Sequence, residues 1–167
     1  GIKRPDFFLG AVGTEVFVNQ EGELVADSDW DIYVKEKHPN WNRQDIVDNL
    51  AQIFESNEEF YLQEESVQNQ NKISYYLKDE NLSDEVVSKI KNYISEKNIL
   101  AEVVYSFDPH KNLGLVDILP KHATKLGAVE FLAQKLGQSL DDIIYCGDSG
   151  NDLLPLTSGI KSVLVNN

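Results

Sequence analysis

The sequence predicts an α/β protein in which a parallel-sheet core is interrupted by a smaller α+β unit. From Leu115 onward the pattern alternates strand, helix, strand, helix and strand, an order typical of doubly wound parallel sheets. Between residues 43 and 119 the order is α-β-β-α-β-β, which favours an antiparallel sheet backed by two helices. We therefore expect residues 1–22 and 115–167 to form an incomplete core, with residues 23–114 as an inserted domain.

The N-terminal residues predict strands joined by a tight turn. Residues 6–12 (DFFLGAV) are an apolar run too short for a helix, and an extended pattern resumes at residues 16–18. The polar residues 19–22 (NQEG) predict a hairpin turn into residues 23–25. Residues 27–42 show weak periodicity, so we expect an irregular connection that carries both tryptophans.

The inserted domain shows helical and extended patterns in turn. Residues 43–56 carry apolar side chains at helical spacing and predict an amphipathic helix. Ser83 is the expected N-cap of a second helix, because acidic residues follow it in the first turn. The remaining segments predict four strands: residues 59–63, 71–78, 100–107 and 115–119.

The C-terminal part predicts a helix followed by two strands. The helix is expected over residues 124–136, ending at Gly137. Its expected apolar stripe comprises Leu126, Val129, Leu132 and Leu136. The apolar residues 143–146 predict a short buried strand in which Cys146 is a packing residue, and residues 162–165 predict another strand.

Composition and charge exclude several classes of protein. Of the 167 residues 41% are hydrophobic, which favours a globular fold over disorder. The net charge of −13 argues against nucleic-acid and anionic-membrane partners, which require basic patches. The single cysteine excludes an internal disulfide and favours a cytoplasmic location. We found no signal peptide and no apolar run long enough to span a membrane.

Two carboxylates follow the strand at residues 143–146. In the segment GDSGND, Asp148 and Asp152 stand four positions apart, at what should be the carboxyl end of a strand. Neighbouring carboxylates raise each other's pKa unless a cation separates them, and a hard divalent ion such as Mg²⁺ would do so. The alternative is a turn without a ligand, because Gly, Ser, Asn and Asp are ordinary turn residues.

Lys125 lies near the start of the predicted C-terminal helix, where backbone N–H groups and the helix dipole favour an anion. An ammonium group there would neutralise phosphoryl oxygens. The alternatives are a solvated surface lysine at this position, or the same role for Lys121. The functional hypothesis requires the Lys125 ammonium and the carboxylates of Asp148 and Asp152 to converge on one pocket.

These motifs together resemble the haloacid-dehalogenase (HAD) phosphatases, specifically the sucrose-phosphate phosphatase branch. The resemblance rests on GDSGND after a strand and on Lys125 placed 23 positions before Asp148. It also includes the segments 117–120 (DILP), 12–15 (VGTE) and 72–76 (KISYY). It implies a HAD-like core with a cap domain. It also implies Mg²⁺-dependent hydrolysis of a sugar phosphate, sucrose 6-phosphate above all, in sucrose biosynthesis.

The resemblance also implies roles for individual residues. Lys125, Asp148 and Asp152 would be catalytic, with Asp148 as a direct metal ligand and Asp152 as a second ligand or a holder of metal-bound water. Ser149 and Asn151 would orient them or bind the phosphate. Sugar hydroxyls would be bound by Glu15 and, in the cap, by Lys72, Gln68 and Asn69. The alternatives are a solvated turn carboxylate for Glu15 and exposed polar residues on one sheet face for the cap positions.

One feature of the family is missing from this sequence. HAD phosphatases carry an Asp-x-Asp motif after their first strand, and its first Asp forms the aspartyl-phosphate intermediate. We found no such motif here, so we expect the sequence to be part of a longer protein, inactive alone and prone to self-association. Two alternative functions remain: a HAD phosphatase for another sugar phosphate, or a non-catalytic sugar-binding or interaction module.

Overall fold

The computed structural model describes residues 4–148 and 152–166 of the chain. The chain divides into two compact units, Gly1–Glu36 with His122–Asn167, and Lys37–Lys121. These boundaries differ from the predicted core and inserted domain in two places. Glu23–Ala26 pairs with the N-terminal hairpin, and Leu113–Pro120 pairs with two strands of the second unit. Backbone hydrogen bonds therefore assign each of these strands to the unit that contains its partners.

The first unit begins with the predicted hairpin. Strands β1 (Phe7–Gly10), β2 (Glu15–Gln20) and β3 (Glu23–Ala26) form an antiparallel sheet in that order. The strand β1 ends earlier than expected, because a 3-10 turn follows in which Val12 has a φ of +60°. The turn between β2 and β3 is closed by the Asn19 side chain, which accepts a hydrogen bond from the Gly22 N–H at 2.9 Å.

A helix, α1 (Ser28–Lys37), occupies the segment that the sequence predicts to be irregular, so that prediction is wrong. Trp30 and Val34, one helical turn apart, are both 1% exposed. The Trp30 indole N–H donates to the Thr14 carbonyl oxygen at 3.0 Å, and its ring lies 5.1 Å from that of Phe131. Tertiary contacts thus stabilise a helix that has only two fully buried side chains.

The helix α4 (Lys125–Leu136) confirms the predicted C-terminal helix and its stop at Gly137, which has a φ of +64°. The predicted stripe is confirmed only in part: Leu132 packs against the core and Leu126 and Val129 are half-buried, but Leu136 is 51% exposed. Small residues and one ring form the buried face instead: Gly127, Ala128, Phe131 and Ala133. A side chain on Gly127 would lie 1.8 Å from the His122 carbonyl oxygen, so the backbone itself approaches closely there.

The last two strands, β8 (Ile144–Gly147) and β9 (Lys161–Leu164), are parallel, with the short helix α5 (Leu153–Thr157) between them in sequence. The expectation of a buried strand is wrong, because Ile144 is 66% exposed and Cys146 is also exposed. No third strand pairs with them in the described part of the chain. Parallel sheets are normally covered on both faces, so these apolar side chains are a candidate surface for self-association, which stays a prediction.

The second unit has the predicted order α-β-β-α-β-β, which is confirmed. Its elements are α2 (Arg43–Ile53), β4 (Phe60–Leu62), β5 (Ile73–Leu77), α3 (Ser83–Glu96), β6 (Ala101–Asp108) and β7 (Leu113–Pro120). The sheet is antiparallel throughout, in the order β4-β5-β7-β6. The predicted capping role of Ser83 is wrong: Ser83 is the first residue of α3, and a 3-10 turn capped by Asp79 precedes it.

The core of the second unit lies between one face of its sheet and its two helices. The fully buried side chains are contributed by every element except the edge strands: Ile46, Leu50, Ile73, Leu77, Val86, Ile90, Val116 and Ile118. Since side chains alternate along a strand, the residues between them point to the opposite face of the sheet. That opposite face carries Ser74 and Tyr76 on β5 and Asp117 on β7.

Candidate active site

An open cleft of about 350 Å³ lies in the first unit, where the strand β8 ends. Seven side chains or backbone segments line it: Lys125, Tyr145, Cys146, Gly147, Asp148, Asp152 and Val165. Three of the residues that the motifs single out, Lys125, Asp148 and Asp152, are therefore brought to one place. The carboxyl end of a parallel strand is the position at which α/β proteins collect ligand chemistry.

The start of α4 fixes the position of Lys125. Thr124 is the N-cap, and its side chain accepts a hydrogen bond from the Gly127 N–H at 3.2 Å. The turn before β2 packs directly on this helix start, because a Cβ built on Gly13 would lie 2.3 Å from the Lys125 backbone nitrogen. The first residue of the helix is thus held by a cap on one side and by a close backbone contact on the other.

The carboxylate of Asp152 connects three parts of the cleft. Its Oδ1 atom accepts hydrogen bonds from the Lys125 ammonium at 2.6 Å and from the Tyr145 hydroxyl at 2.6 Å. Its Oδ2 atom accepts from the Asp148 backbone N–H at 3.2 Å. Asp152 is 4% exposed, so these contacts occur largely out of water. The predicted proximity of Lys125 and Asp152 is confirmed, and the alternative of a solvated Lys125 is wrong.

Gly147 makes room for this arrangement. A Cβ on Gly147 would lie 2.7 Å from the Cβ of Asp152 and 2.9 Å from its Oδ2 atom, closer than real side-chain contacts allow. The glycine of the GDSGND motif is therefore required by the close approach of the β8 backbone to the Asp152 side chain. Its torsion angles are not the reason, since its φ is not positive.

The electrostatics of the pair keep Asp152 ionised. Burial by itself would raise the pKa of Asp152. The hydrogen bonds that it accepts from Lys125, Tyr145 and the Asp148 N–H, together with the positive charge of Lys125, have the larger effect. The pKa of Asp152 is therefore well below its usual range. The pKa of Tyr145 is raised by its burial and then by its hydrogen bond to Asp152 and the nearby carboxylates. Both groups thus keep the charge states in which Tyr145 donates and Asp152 accepts.

The donor set fits a hard divalent cation in part. Asp148 is exposed and lines the cleft, and carboxylate oxygen is the kind of ligand that Mg²⁺ takes from proteins, commonly one or two per site. Both oxygens of Asp152 already accept hydrogen bonds from protein donors, so direct ligation by Asp152 would require one of them to be replaced. Within residues 4–148 and 152–166 no group of three or more His, Cys, Asp or Glu side chains is placed to hold a metal.

The structure supports no role at the cleft for three of the predicted phosphate- and substrate-binding residues, for two different reasons. Ser149 and Asn151 lie outside the described residues. Glu15 begins β2 opposite Gly10 and does not line the cleft. Within the segment 12–15, Gly13 is the residue that contacts the start of α4 and so helps to position Lys125.

In the second unit, Gln68 is committed to the protein itself. Its side-chain amide accepts from the Ser74 N–H at 2.9 Å and donates to the Ser74 and Gln63 carbonyl oxygens at 2.8 and 3.2 Å. Asn69 accepts from the Asn71 N–H at 2.9 Å and forms a turn that ends at Lys72. The geometry therefore favours structural roles for Gln68 and Asn69 over the predicted contacts with a sugar.

Lys72 has a different environment. It is 9% exposed, and no described side chain accepts a hydrogen bond from its ammonium group or pairs with it. Farther along the same sheet face, Ser74 donates to Asp117, and Tyr76 donates to Glu64 at 3.0 Å while accepting from a lysine. Sequence reasoning missed Ser74, Tyr76 and Asp117, although the alternation along residues 72–76 could have identified the shared face.

Replacing Asp152 with asparagine is expected to destabilise the first unit by about 2 kcal/mol at pH 7, because a charged hydrogen-bond acceptor is lost. The pKa of Asp152 is lower in the folded than in the unfolded protein, so its stabilisation is complete above about pH 5 and is lost as the pH falls through and below about pH 4, the usual pKa of an unfolded aspartate. The difference in the free energy of unfolding should therefore shrink between pH 5 and about pH 3. Urea unfolding at a series of pH values measures it.

Glu85→Gln is the matched control for that experiment. Glu85 pairs with Lys89 at 2.6 Å, but both side chains are about half exposed or more, at 61% and 49%. Exposed pairs of this kind contribute only about 0.5 kcal/mol, so this variant should remain close to the wild-type stability throughout. A difference for Asp152→Asn that stays constant from pH 7 to pH 3 would contradict the assignment of a low pKa.

Comparison with known proteins identifies a family and several similar proteins. The sequence matches the model of the sucrose-6F-phosphate phosphohydrolase family over residues 1–167. It is 28% identical over 151 residues to sucrose-phosphatase 2 of Nicotiana tabacum, covering 89% of this chain and 32% of that protein. It is 29% identical over 168 residues to the mannosylfructose-phosphate phosphatase of Agrobacterium fabrum, covering 99% and 61%. The chain thus spans less than two thirds of these relatives' lengths.

Solved structures agree with the fold prediction. The sucrose-phosphatase of Synechocystis sp. PCC6803, in complex with sucrose and phosphate, superposes with a TM-score of 0.73 at 28% identity, covering 98% of this chain and 60% of that one. A haloacid dehalogenase-like hydrolase of Bacillus subtilis superposes with a TM-score of 0.58 at 21% identity, covering 93% and 56%. The predicted α/β HAD-like fold with a cap is confirmed.

Proposed function

Because the chain belongs to the sucrose-6F-phosphate phosphohydrolase family, we propose that it is part of a Mg²⁺-dependent phosphatase that hydrolyses sucrose 6-phosphate. The observation that carries the proposal is the cleft at the end of β8, where the Lys125 ammonium and Asp152 meet at 2.6 Å beside Asp148. Phosphoryl transfer depends mainly on positioning and charge neutralisation, and these residues supply both.

The roles of the cleft residues follow from their contacts. Lys125 stands at the first position of α4, so its ammonium and the helix start both favour a phosphoryl group. Asp152 orients that ammonium and the backbone of Asp148. Asp148 is the residue that would hold Mg²⁺ directly, and Asp152 would act through a water. The ion would supply the positive charge that a protein of net charge −13 needs to accept a phosphate.

The sugar is proposed to bind at the polar face of the second unit's sheet. This face carries Lys72, the Ser74–Asp117 pair and the Tyr76 hydroxyl, which together offer donors and acceptors for sugar hydroxyls. Lys72 supports the proposal most, because the residue is largely buried and its ammonium has no acceptor among the described residues, so it can bind a hydroxyl or phosphate oxygen. Gln68, Asn69 and Glu15 would contribute indirectly, through the turn and strands that they form.

The nucleophile is proposed to lie outside these 167 residues. In the protein that contains this chain, an Asp-x-Asp motif would form the aspartyl-phosphate, and the cleft residues would bind the phosphoryl group during its transfer. The chain by itself is then expected to bind a sugar phosphate without hydrolysing it. Release of inorganic phosphate by this chain in the presence of Mg²⁺ would contradict that expectation.

Calorimetric titration of the chain with sugar phosphates tests the proposal. We expect sucrose 6-phosphate to bind in the presence of Mg²⁺ and to bind more weakly once the metal is chelated. Tighter binding of another ester, such as the mannosylfructose phosphate that the Agrobacterium relative is named for, would favour the alternative substrate. Binding of free sucrose regardless of Mg²⁺ would favour the non-catalytic sugar-binding module.

Location and partners beyond the substrate remain predictions. Among the described residues, every helix is too short or too polar to cross a bilayer. The cytoplasmic location and the absence of nucleic-acid and membrane partners follow only from charge and cysteine content.

A further inference from the structure

Tyr145 is a residue of the cleft to which the sequence motifs give no role. It lies on β8 two positions before Gly147, so both residues point to the same face of the strand. That face contacts Asp152: Gly147 leaves the space for its carboxylate, and the Tyr145 hydroxyl donates to its Oδ1 atom at 2.6 Å. The strand β8 therefore contacts the Asp152 carboxylate in two ways: Tyr145 donates a hydrogen bond to it, and Gly147 leaves the space that it occupies.

The second donor to the same oxygen is the Lys125 ammonium, also at 2.6 Å. A carboxylate oxygen has two lone pairs in the plane of the group, so two donors on one oxygen define its orientation. With the Tyr145 donor removed, the Lys125 ammonium on Oδ1 and the Asp148 N–H on Oδ2 remain, and because the terminal torsion of an aspartate is soft, the carboxylate can rotate toward these two partners. The direction in which Lys125 presents its ammonium would then be less well fixed.

We propose that Tyr145 is a positioning residue of the phosphate site: its hydroxyl holds the Asp152 carboxylate in the orientation that keeps the Lys125 ammonium directed at the cleft. The expected effect on phosphate binding rests on the proposed function. Its structural part, the coupling of Tyr145 to Lys125 through Asp152, can be tested independently.

The test compares two variants of the 167-residue chain that each lose one tyrosine hydroxyl. Tyr145→Phe removes a hydroxyl that donates to Asp152. Tyr75→Phe, the matched control, removes a buried hydroxyl of the second unit that has no hydrogen-bond partner among the described residues.

Two quantities are measured at a temperature where both variants are folded: proton exchange of the Lys125 ammonium by NMR, and the affinity for inorganic phosphate with Mg²⁺ present. The ammonium of Lys135, paired with Asp27 and Asp29, is the internal reference.

In Tyr145→Phe the Lys125 ammonium should exchange about 10-fold faster with water while that of Lys135 is unchanged, the size expected for one hydrogen bond to a charged group. Phosphate affinity should fall about 10-fold to 100-fold, as is typical when a residue that orients a ligand-binding group is lost. Tyr75→Phe should change neither quantity. A chain with 4-aminophenylalanine at position 145, which keeps a donor at the end of the ring, should recover both.

Several results would overturn the proposal. Unchanged Lys125 exchange in Tyr145→Phe would show that the hydroxyl does not orient the pair. An unchanged phosphate affinity, despite faster exchange, would show that the orientation does not matter for binding. If Tyr145→Phe fails to fold while the 4-aminophenylalanine chain folds, the hydroxyl is a stability group only. A wild-type chain that binds no phosphate would instead refute the proposed function and leave the exchange measurement to decide the role of Tyr145.

Discussion

Lys125→Met should lower the affinity of the chain for inorganic phosphate by about 100-fold or more in the presence of Mg²⁺. Among the described residues that line the cleft, Lys125 carries the positive charge, and it lies at the start of α4, where an anion is already favoured. The same change leaves the buried Asp152 carboxylate without its cation, which should destabilise the first unit by about 3 kcal/mol. Calorimetric titration with phosphate measures the first effect and urea unfolding the second.

Lys135→Met is the matched control, because Lys135 stands at the opposite end of the same helix. Its ammonium also forms ion pairs, with Asp27 at 2.7 Å and Asp29 at 2.9 Å. This variant should lose stability for the same reason but keep the phosphate affinity of the wild type. Equal affinities for Lys125→Met and Lys135→Met would show that the lysine at the cleft does not bind the phosphoryl group.

Gly13→Ala should have the largest effect on stability, more than about 4 kcal/mol, and should prevent the first unit from folding. A Cβ at this position would lie 2.3 Å from the Thr124 carbonyl carbon and 2.3 Å from the Lys125 nitrogen, and backbone cannot move aside as a flexible side chain can. The φ of +96° adds strain that only glycine avoids. Hydrogen exchange should show lost protection in α4 and retained protection in α3, whose core residues all belong to the second unit.

Gly159→Ala separates the two causes. Gly159 has nearly the same φ, +93°, but no atom of the described residues lies within 4 Å of a Cβ built on it. This variant therefore carries the backbone strain without the clash and should cost about 1 to 2 kcal/mol. Similar losses for Gly13→Ala and Gly159→Ala would show that the contact between the turn before β2 and the start of α4 is not tight.

The second unit was the part of the fold most accessible to sequence reasoning. Its helices α2 and α3 have wide apolar stripes, and most of its strands are rich in β-branched and aromatic residues, so both kinds of element are recognisable from the residues themselves. The helix α1 was not predictable in this way. It buries Trp30 and Val34 but leaves Ile32 55% exposed, so its stability depends on contacts with Thr14 and Phe131 that are distant in sequence.

The buried face of α4 and the exposure of β8 were mispredicted for related physical reasons. Gly127 and Ala128 turn inward because the helix backbone packs closely on its neighbours, and periodicity in large apolar residues does not detect such contacts. The apolar residues of β8 imply burial, but burial depends on what covers a strand. Residues 144–147 pair only with β9 in the described part of the chain.

The cleft was partly predictable. Spacing and motif correctly predicted that Lys125 and Asp152 lie close together, because a lysine at a helix start and a carboxylate after a strand meet at one edge of a sheet. Tyr145 was not predictable, since its role depends on which face of β8 it occupies and on a contact seven positions along the chain. The hydrogen bonds of the Gln68 side-chain amide were not predictable either, because its partners are backbone groups of Ser74 and Gln63.

Titration with Mn²⁺ tests most directly whether a cation and a phosphoryl group share the cleft, since carboxylate sites that hold Mg²⁺ also take Mn²⁺ and its paramagnetism broadens nearby NMR signals. We expect the backbone signals of Gly147, Asp148 and Asp152 to broaden first, and inorganic phosphate added next to shift the Lys125 ammonium signal. Broadening confined to other acidic residues, or a Lys125 signal indifferent to phosphate, would show that cation and phosphoryl group do not share this cleft.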